Sequence, residues 1–467
     1  MQARARDWAR EEFGASQLGD VRRTARLVSM AARAADKPAG RVLQVFSTGA
    51  ERQGAYDFLA NDAIEPAAVS EAVFESTARR CSESRDIVVA LDGSSISVVD
   101  ENGTKGFGVV GSLTNRGSGL KVVTAYAMDA DGTPVGVLDQ QWWCRERIKR
   151  KKDADTRPLE QVETWHWTRA IAASTRRLAS SAARTNICFV MDREADGRHF
   201  LEAARDSGHG FIVRSATNRR LLKRSHMLLD ELRSLIPVFV YELDVPAAEA
   251  RRARVARMVV RATRVALRMR NRNCKQWTPF ELNVVQAREE GTTPPGERPI
   301  EWRLLTNLPI GRRDAAAHVI DTYMLRWRIE EFHKTWKSGA CNIEDSQLRH
   351  PAHLVKWATI MAAVAARIER LKILSRTSPD LPASGELSLY EIGAILTLKR
   401  SEKRRNEIIP LESPTIGKAV LWLAELGGYT GKSSGGPPGA ITIRRGLERI
   451  GAVAAAIKQL ERDGKMR

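Results

Sequence analysis

Apolar positions along this chain change their period twice. Up to about residue 70 they recur at helical spacing, with breaks at Lys37-Pro-Ala-Gly40 and Ile64-Glu-Pro66, which predicts a small helical domain over 1–70. From about 71 to 375 helix-like and strand-like periods alternate, as a mixed α/β domain requires. Apolar runs at 87–92 and 186–192 read as buried strands, 121–128 and 135–141 as neighbouring strands, and 165–180 as the crossover helix. Five further strand-like segments (210–215, 238–243, 256–270, 280–287 and 301–306) are separated by polar or Gly/Pro-rich turns such as 291–296. They predict a β-rich insertion at about 211–310. Past Thr377-Ser-Pro-Asp-Leu-Pro382 helical stretches return at 389–405, 415–426 and 447–462, interrupted by a loop at 431–439, giving a helical domain over 376–467. The last helix carries Ile450, Val453, Ile457 and Leu460 as a stripe suited to a second copy or to its own domain.

The chemistry is concentrated at three points of this pattern. The run 323–337 is helix-compatible, and at about 100° per residue Tyr323, Arg326, Glu330, Lys334 and Lys337 fall within an arc of roughly 80°. Such a face suits a metal-bound phosphodiester, and it equally suits a solvated basic helix with Glu/Lys pairs four residues apart. Two aspartates, Asp92 and Asp192, end the apolar runs 87–92 and 186–192. A strand end is a rigid mount, so Asp92, Asp192 and Glu330 together could hold two Mg²⁺ (or Mn²⁺) ions roughly 3.5–4 Å apart; singly, each aspartate is an ordinary turn or cap residue.

Charge narrows the partner. The 467 residues include 75 basic and 56 acidic side chains, a net charge of +19, which favours an anionic partner and nucleic acid first. Window 251–275 holds ten Lys/Arg and no acid, and 145–152 is a second basic run expected as a loop over DNA. The five cysteines are scattered without a CxxC pair, and the eight histidines lack helical metal spacing, which leaves carboxylates as the credible ligand set. The longest helical apolar run, 357–366, is too short to span a bilayer, and no signal-type segment opens the chain; the simplest expectation is a cytoplasmic, DNA-associated protein.

The spaced set Tyr323, Arg326, Glu330, Lys337, with Arg326-Trp-Arg-Ile-Glu-Glu-Phe-His-Lys334 inside it, resembles the signature of DDE transposases of the insertion-sequence-four group, transposon-five type. Met191-Asp-Arg-Glu-Ala-Asp196 is similar to the segment around that family's second aspartate. Ala90-Leu-Asp-Gly-Ser-Ser95 is a looser match around the first, with Gly93 and Ser94 where relatives usually carry threonines. Leu18-Gly-Asp-Val-Arg-Arg-Thr-Ala-Arg-Leu-Val28 is similar to the family's end-recognition region. The resemblance implies an RNase H-like mixed sheet with an inserted β-subdomain, flanked by an N-terminal DNA-binding domain and a C-terminal dimerisation domain. It implies phosphate or hairpin contacts at Tyr323, Arg326, Lys334, Lys337 and Arg214, and base stacking at Trp302, which by strand pattern alone is a core residue. It also implies DNA-end contacts at Arg22, Arg23 and Arg26, with Lys37 in reach of phosphate; those positions are otherwise a solvated helix face.

The function so implied is cut-and-paste transposition by a homodimer on two double-stranded DNA ends: strand nicking, hairpin formation and opening, then transfer into target DNA. The alternatives are a catalytically inactive DNA-binding relative and a stand-alone nuclease of the same fold.

Overall fold

The computed structural model describes residues 7–100, 102–112, 114–146, 160, 162–222, 226–248, 251–271, 275–402, 409, 412–431 and 435–463. Residues 147–152 of the expected basic loop, and 432–434 of the loop at 431–439, lie outside them.

Five helices precede the first strand: α1 (Trp8–Phe13), α2 (Val21–Asp36), α3 (Val42–Val45), α4 (Gly49–Ala60) and α5 (Pro66–Cys81). Their starts are written locally. Asp20 accepts the Arg22 amide at the head of α2, Thr48 and Glu51 form a reciprocal capping box on α4, and Pro66, which has no amide to leave unpaired, opens α5. The expected boundary at residue 70 falls inside α5, whose length carries it onto the sheet below.

The strands are β1 (Asp86–Val98), β2 (Gly108–Gly111), β3 (Arg116–Asp129), β4 (Pro134–Trp143), β5 (Asn186–Met191), β6 (Gly210–Arg214), β7 (Phe239–Val245), β8 (Arg254–Arg270), β9 (Trp277–Glu289) and β10 (Glu301–Thr306). They form one mixed sheet in the order β2-β3-β1-β5-β6-β10-β9-β8-β7, with β4 also on β3. β1, β5 and β6 are parallel; the other pairings are antiparallel. α6 (Trp165–Ser181) makes the crossover into β5 and α7 (Arg198–Asp206) the one into β6, as parallel neighbours demand. Two expectations change here. β1 does not end at Asp92; it continues to Val98 against β3. The start of the insertion moves as well: β6, where it was expected to begin, belongs to the parallel centre, and β10 pairs antiparallel with β6, so β7–β10 extend the same sheet. α8 (Leu228–Ser234) lies over β8.

Side-chain parity divides the core between the two faces. On β1, Ile87, Val89 and Leu91 join one cluster with α6 and α7, while Val88, Ala90 and Ile96 join another with α9 (Arg313–Met324), α10 (Trp327–Lys337) and α11 (Pro351–Thr377). Phe332 of α10 stacks on Tyr126 of β3 with ring centroids 4.6 Å apart, which seats α10 over β1 and β3. The segment 323–337 is therefore not one helix: α9 ends at Met324, the Leu325–Arg326 turn is bridged by i→i−3 bonds, and α10 begins at Trp327.

α11 leads into α12 (Leu389–Ser401), α13 (Ile416–Leu426) and α14 (Ala440–Arg462), the last starting seven residues before its expected start at 447. Ile450 is buried in the chain's own core, Val453 and Ile457 are half-buried against it, and Leu460 stays exposed, so the stripe packs in large part on its own chain. No helix among the described residues is long and apolar enough to cross a membrane.

Candidate active site

Leu91 of β1 pairs in parallel register with Met191 of β5. The next residue on each strand, Asp92 and Asp192, therefore sits at the edge of that pairing. Both occupy even positions, on the face covered by α10, because Ala90 and Val190 before them pack into the core on that side. Asp92 stays in the β1 ladder opposite Thr124, its side chain only 14% exposed. Asp192 leaves β5 and caps the short 3₁₀ turn Arg193–Ala195, accepting the Glu194 amide at 2.7 Å.

Burial pushes the Asp92 carboxyl up to about 7, and the negative charges of Asp192, Glu330 and Glu194 push in the same direction while Arg326 opposes them. Glu194 is raised as well, by burial first and by Asp192 next. The acid cluster is thus under-compensated. Glu330, on the first turn of α10, faces it but accepts Arg326 Nη2 at 3.0 Å. Hard oxygen donors with unrelieved mutual repulsion are the chemistry a divalent cation satisfies. With Glu330 turned to Arg326, no group of three or more His, Cys, Asp or Glu side chains that could hold a metal ion is assembled among the described residues.

Cations and aromatics rim the acids. Tyr323, in the last turn of α9, stands within electrostatic reach of Arg326 and Arg214, and burial raises its phenol. Arg326 Nη1 is buried without a partner. Arg214 closes β6 and donates to the Glu301 carbonyl at 3.0 Å; Trp302, the next residue of β10, meets Tyr323 edge-on with centroids 6.0 Å apart. Arg193, Arg214 and Trp302 line one open cavity of about 610 Å³. Trp302 is half-buried, packed on the core along one side and open to that cavity on the other. Lys334 is exposed, and Lys337 lies 3.6 Å from Glu344.

Two neighbours escaped the sequence reading. His333 Nδ1 lies 3.7 Å from Asp92 Oδ2, its ring fully buried and its Nε2 unpartnered, with burial pushing its pKa down to about 3. It stands three residues after Glu330 on the same helix, a spacing that would have found it had histidines been weighed as neighbours of a carboxylate rather than as metal ligands. Lys121 of β3 donates to Ser95 at 3.1 Å and is depressed by burial and by Arg145.

The four expected DNA-end cations divide. Arg22 and Arg26 are exposed on α2, although Arg22 also pairs with Asp20. Arg23 is engaged within the fold, donating to the Leu18 and Ala63 carbonyls, and Lys37 lies 4.0 Å from Glu448 of α14. Window 251–275 is less basic in space than in sequence. Arg254 pairs with Glu289 and Glu297, Arg261 with Glu290 and Arg264 with Glu281, so carboxylates on and just after β9 answer the cations of β8.

Around Asp92, the most buried of these acids, stand Asp192, Glu194 and Glu330, with arginines, a phenol and an open indole close by. Residues 5–64 match the family model for a transposase DNA-binding domain, and residues 147–366 match the model for a transposase DDE domain. The chain is a DDE transposase with an N-terminal DNA-binding domain, and DNA is its partner. The first match contains Arg22, Arg23, Arg26 and Lys37; the second contains Asp192, Arg214, Trp302 and the whole segment 323–337, while Asp92 precedes it.

Proposed function

We propose that this transposase is a member of the insertion-sequence-four group that cuts and pastes its DNA through hairpinned ends, on a sheet of RNase H-like topology, with Asp92, Asp192 and Glu330 as ligands of two Mg²⁺ or Mn²⁺ ions. The observation that carries the reading is the Leu91–Met191 register, which brings the two aspartates to neighbouring parallel strands within electrostatic reach of Glu330. When bound, the ions supply activation of the attacking oxygen and stabilisation of the leaving one.

The chain's own residues hold the strand. Arg326, with a free buried Nη1, and Arg214 grip non-bridging phosphate oxygens, with the Tyr323 phenol within electrostatic reach of both guanidinium groups. Lys337 and the exposed Lys334 extend the grip along α10. Water hydrolyses one strand to give a 3′-hydroxyl and a 5′-phosphate; that hydroxyl attacks a phosphodiester of the opposite strand, closing a hairpin and expelling the 3′-hydroxyl of the flanking DNA; water hydrolyses the hairpin phosphodiester, restoring the 3′-hydroxyl and leaving a 5′-phosphate; and the 3′-hydroxyl attacks a target phosphodiester, expelling a target 3′-hydroxyl. A hairpin forces a base out of its stack, and Trp302, open to the cavity beside Arg214, recovers roughly 1–3 kcal/mol of the lost stacking. Two ends cut together call for a homodimer.

The test is incubation of the protein and of Glu330→Gln with Mg²⁺ and a duplex carrying the inverted repeats that flank its gene, resolved on a denaturing gel. Nicked, hairpinned and then blunt products from the unmodified protein alone are expected. Cleavage without a hairpin would overturn the hairpin route, and cleavage by Glu330→Gln would overturn the carboxylate assignment.

A further inference from the structure

The neutralisation of β8 by β9 stops at the turn end of the hairpin. Arg268 and Arg270 pair in register with Pro279 and Trp277, and no carboxylate stands on β9 there. With Arg220 and Lys275 these cations line a cavity of about 630 Å³, separate in its lining from the one at Trp302. Arg220, Arg268, Arg270 and Lys275 are all exposed, and among the described residues no carboxylate pairs with Arg220, Arg268 or Lys275. The Arg268 guanidinium lies 5.5 Å from the centroid of the Trp277 ring, and that indole is 56% exposed. Trp277 thus stands largely open beside Arg220, Arg268 and Lys275.

The floor of the cavity is built rather than loose. Asp196, four residues after Asp192, is nearly inaccessible. It accepts from the Ala216 and Thr217 amides, Ser215 Oγ and Arg219 Nη1, tying the loop that follows β6 to the turn that carries Asp192. Arg198, which also lines the cavity, donates to the Met269 and Thr278 carbonyls and so fixes α7 to adjoining ends of β8 and β9. The lining is thus anchored both to the acidic site and to the hairpin.

We propose that this cavity is a second DNA site, in which Arg220, Arg268 and Lys275 take backbone phosphates of one strand and Trp277 stacks a base. The inference rests on the transposase reading for its ligand but not on the cutting chemistry. The strand has two sources, the transposon end and the target, and both present the same phosphates and base faces.

Fluorescence anisotropy of labelled DNA, with full-length Glu330→Gln as the uncleaving parent, separates them. One probe is the inverted-repeat duplex with a short single-stranded overhang; the other is an unrelated duplex with the same overhang. Arg268→Ala/Lys275→Ala in the parent is expected to bind about tenfold more weakly at 0.15 M salt, with the log–log salt slope reduced by roughly 1.5 to 2. Trp277→Ala is expected to lose about tenfold on overhang probes, little on blunt duplex, and to be rescued by Trp277→Phe. Losses confined to the inverted-repeat probe assign the cavity to the transposon end, and losses on both assign it to DNA generally, target included. Unchanged affinity and slope in variants that melt like the parent overturn the proposal. Failure of the parent itself to bind either probe would count against the DNA-binding reading instead.

Discussion

Asp92 on β1 and Asp192 just past the end of β5 each stand one residue beyond the paired Leu91 and Met191, and their repulsion adds to the burial that holds Asp92 at about 7. An acid whose folded pKa lies above its unfolded value of 3.8 weakens the fold as pH rises from about 4 through about 7, because the unfolded chain releases that proton first. Asp92→Asn should therefore melt a few degrees higher than the parent at pH 8 without metal, and equal to it below about pH 4. Mg²⁺ should raise the melting temperature of the parent and not of the variant, whose cutting should fall more than about a hundredfold, beyond the usual cost of an outer-shell change. A metal-free parent that is the more stable at pH 8 would contradict the electrostatics.

Trp302→Ala should separate the steps of the reaction. Loss of roughly 1–3 kcal/mol of stacking predicts a drop of about five- to a hundredfold in hairpin yield with first-strand nicking nearly unchanged, and Trp302→Phe should recover much of it. Quantified nick and hairpin bands over time report the split; equal loss in both would make Trp302 a packing residue.

Arg177 of α6 ties three elements together, bonding Glu71 of α5, Asp139 of β4 and the Leu138 carbonyl, with its guanidinium over Phe74. Asp139 is almost inaccessible, and burial already raises its pKa. Arg177→Met strands that carboxylate and should cost about 3–5 kcal/mol; adding Asp139→Asn should return much of the loss, as read by urea unfolding.

Asp36, closing α2 against Gly451 of α14, is pushed up to about 6 by burial first and by Glu391 next. Its contribution again falls as pH rises from about 4 to about 6. Asp36→Asn should be more stable at pH 7.5 by on the order of 1 kcal/mol and indistinguishable below about pH 4. Thermal melts across that range read the difference, and a constant offset at every pH would assign it to packing.

Much of this was legible before folding. The strands 121–128 and 186–192 and the helix 165–180 appear within a few residues of their expected limits, because period 2 and period 3.6 are local consequences of where side chains point. β2 was missed: four residues containing two glycines carry no period to read. The helix expected across 323–337 breaks at Leu325–Arg326, where residues of good helix propensity give no warning. What sets that break is the docking of α9 beside β10 and α10 over β1.

The sequence by itself determined on which side of each strand or helix the candidate residues lie, since parity and helical phase need only neighbours along the chain. The tertiary structure alone decided that Leu91 would pair with Met191, that His333 would sit against Asp92, that β10 would extend the central sheet, and that glutamates on and just after β9 would neutralise the arginines of β8 and leave its far end bare. Each of those depends on partners distant in sequence, and no local period records which strand will lie beside which.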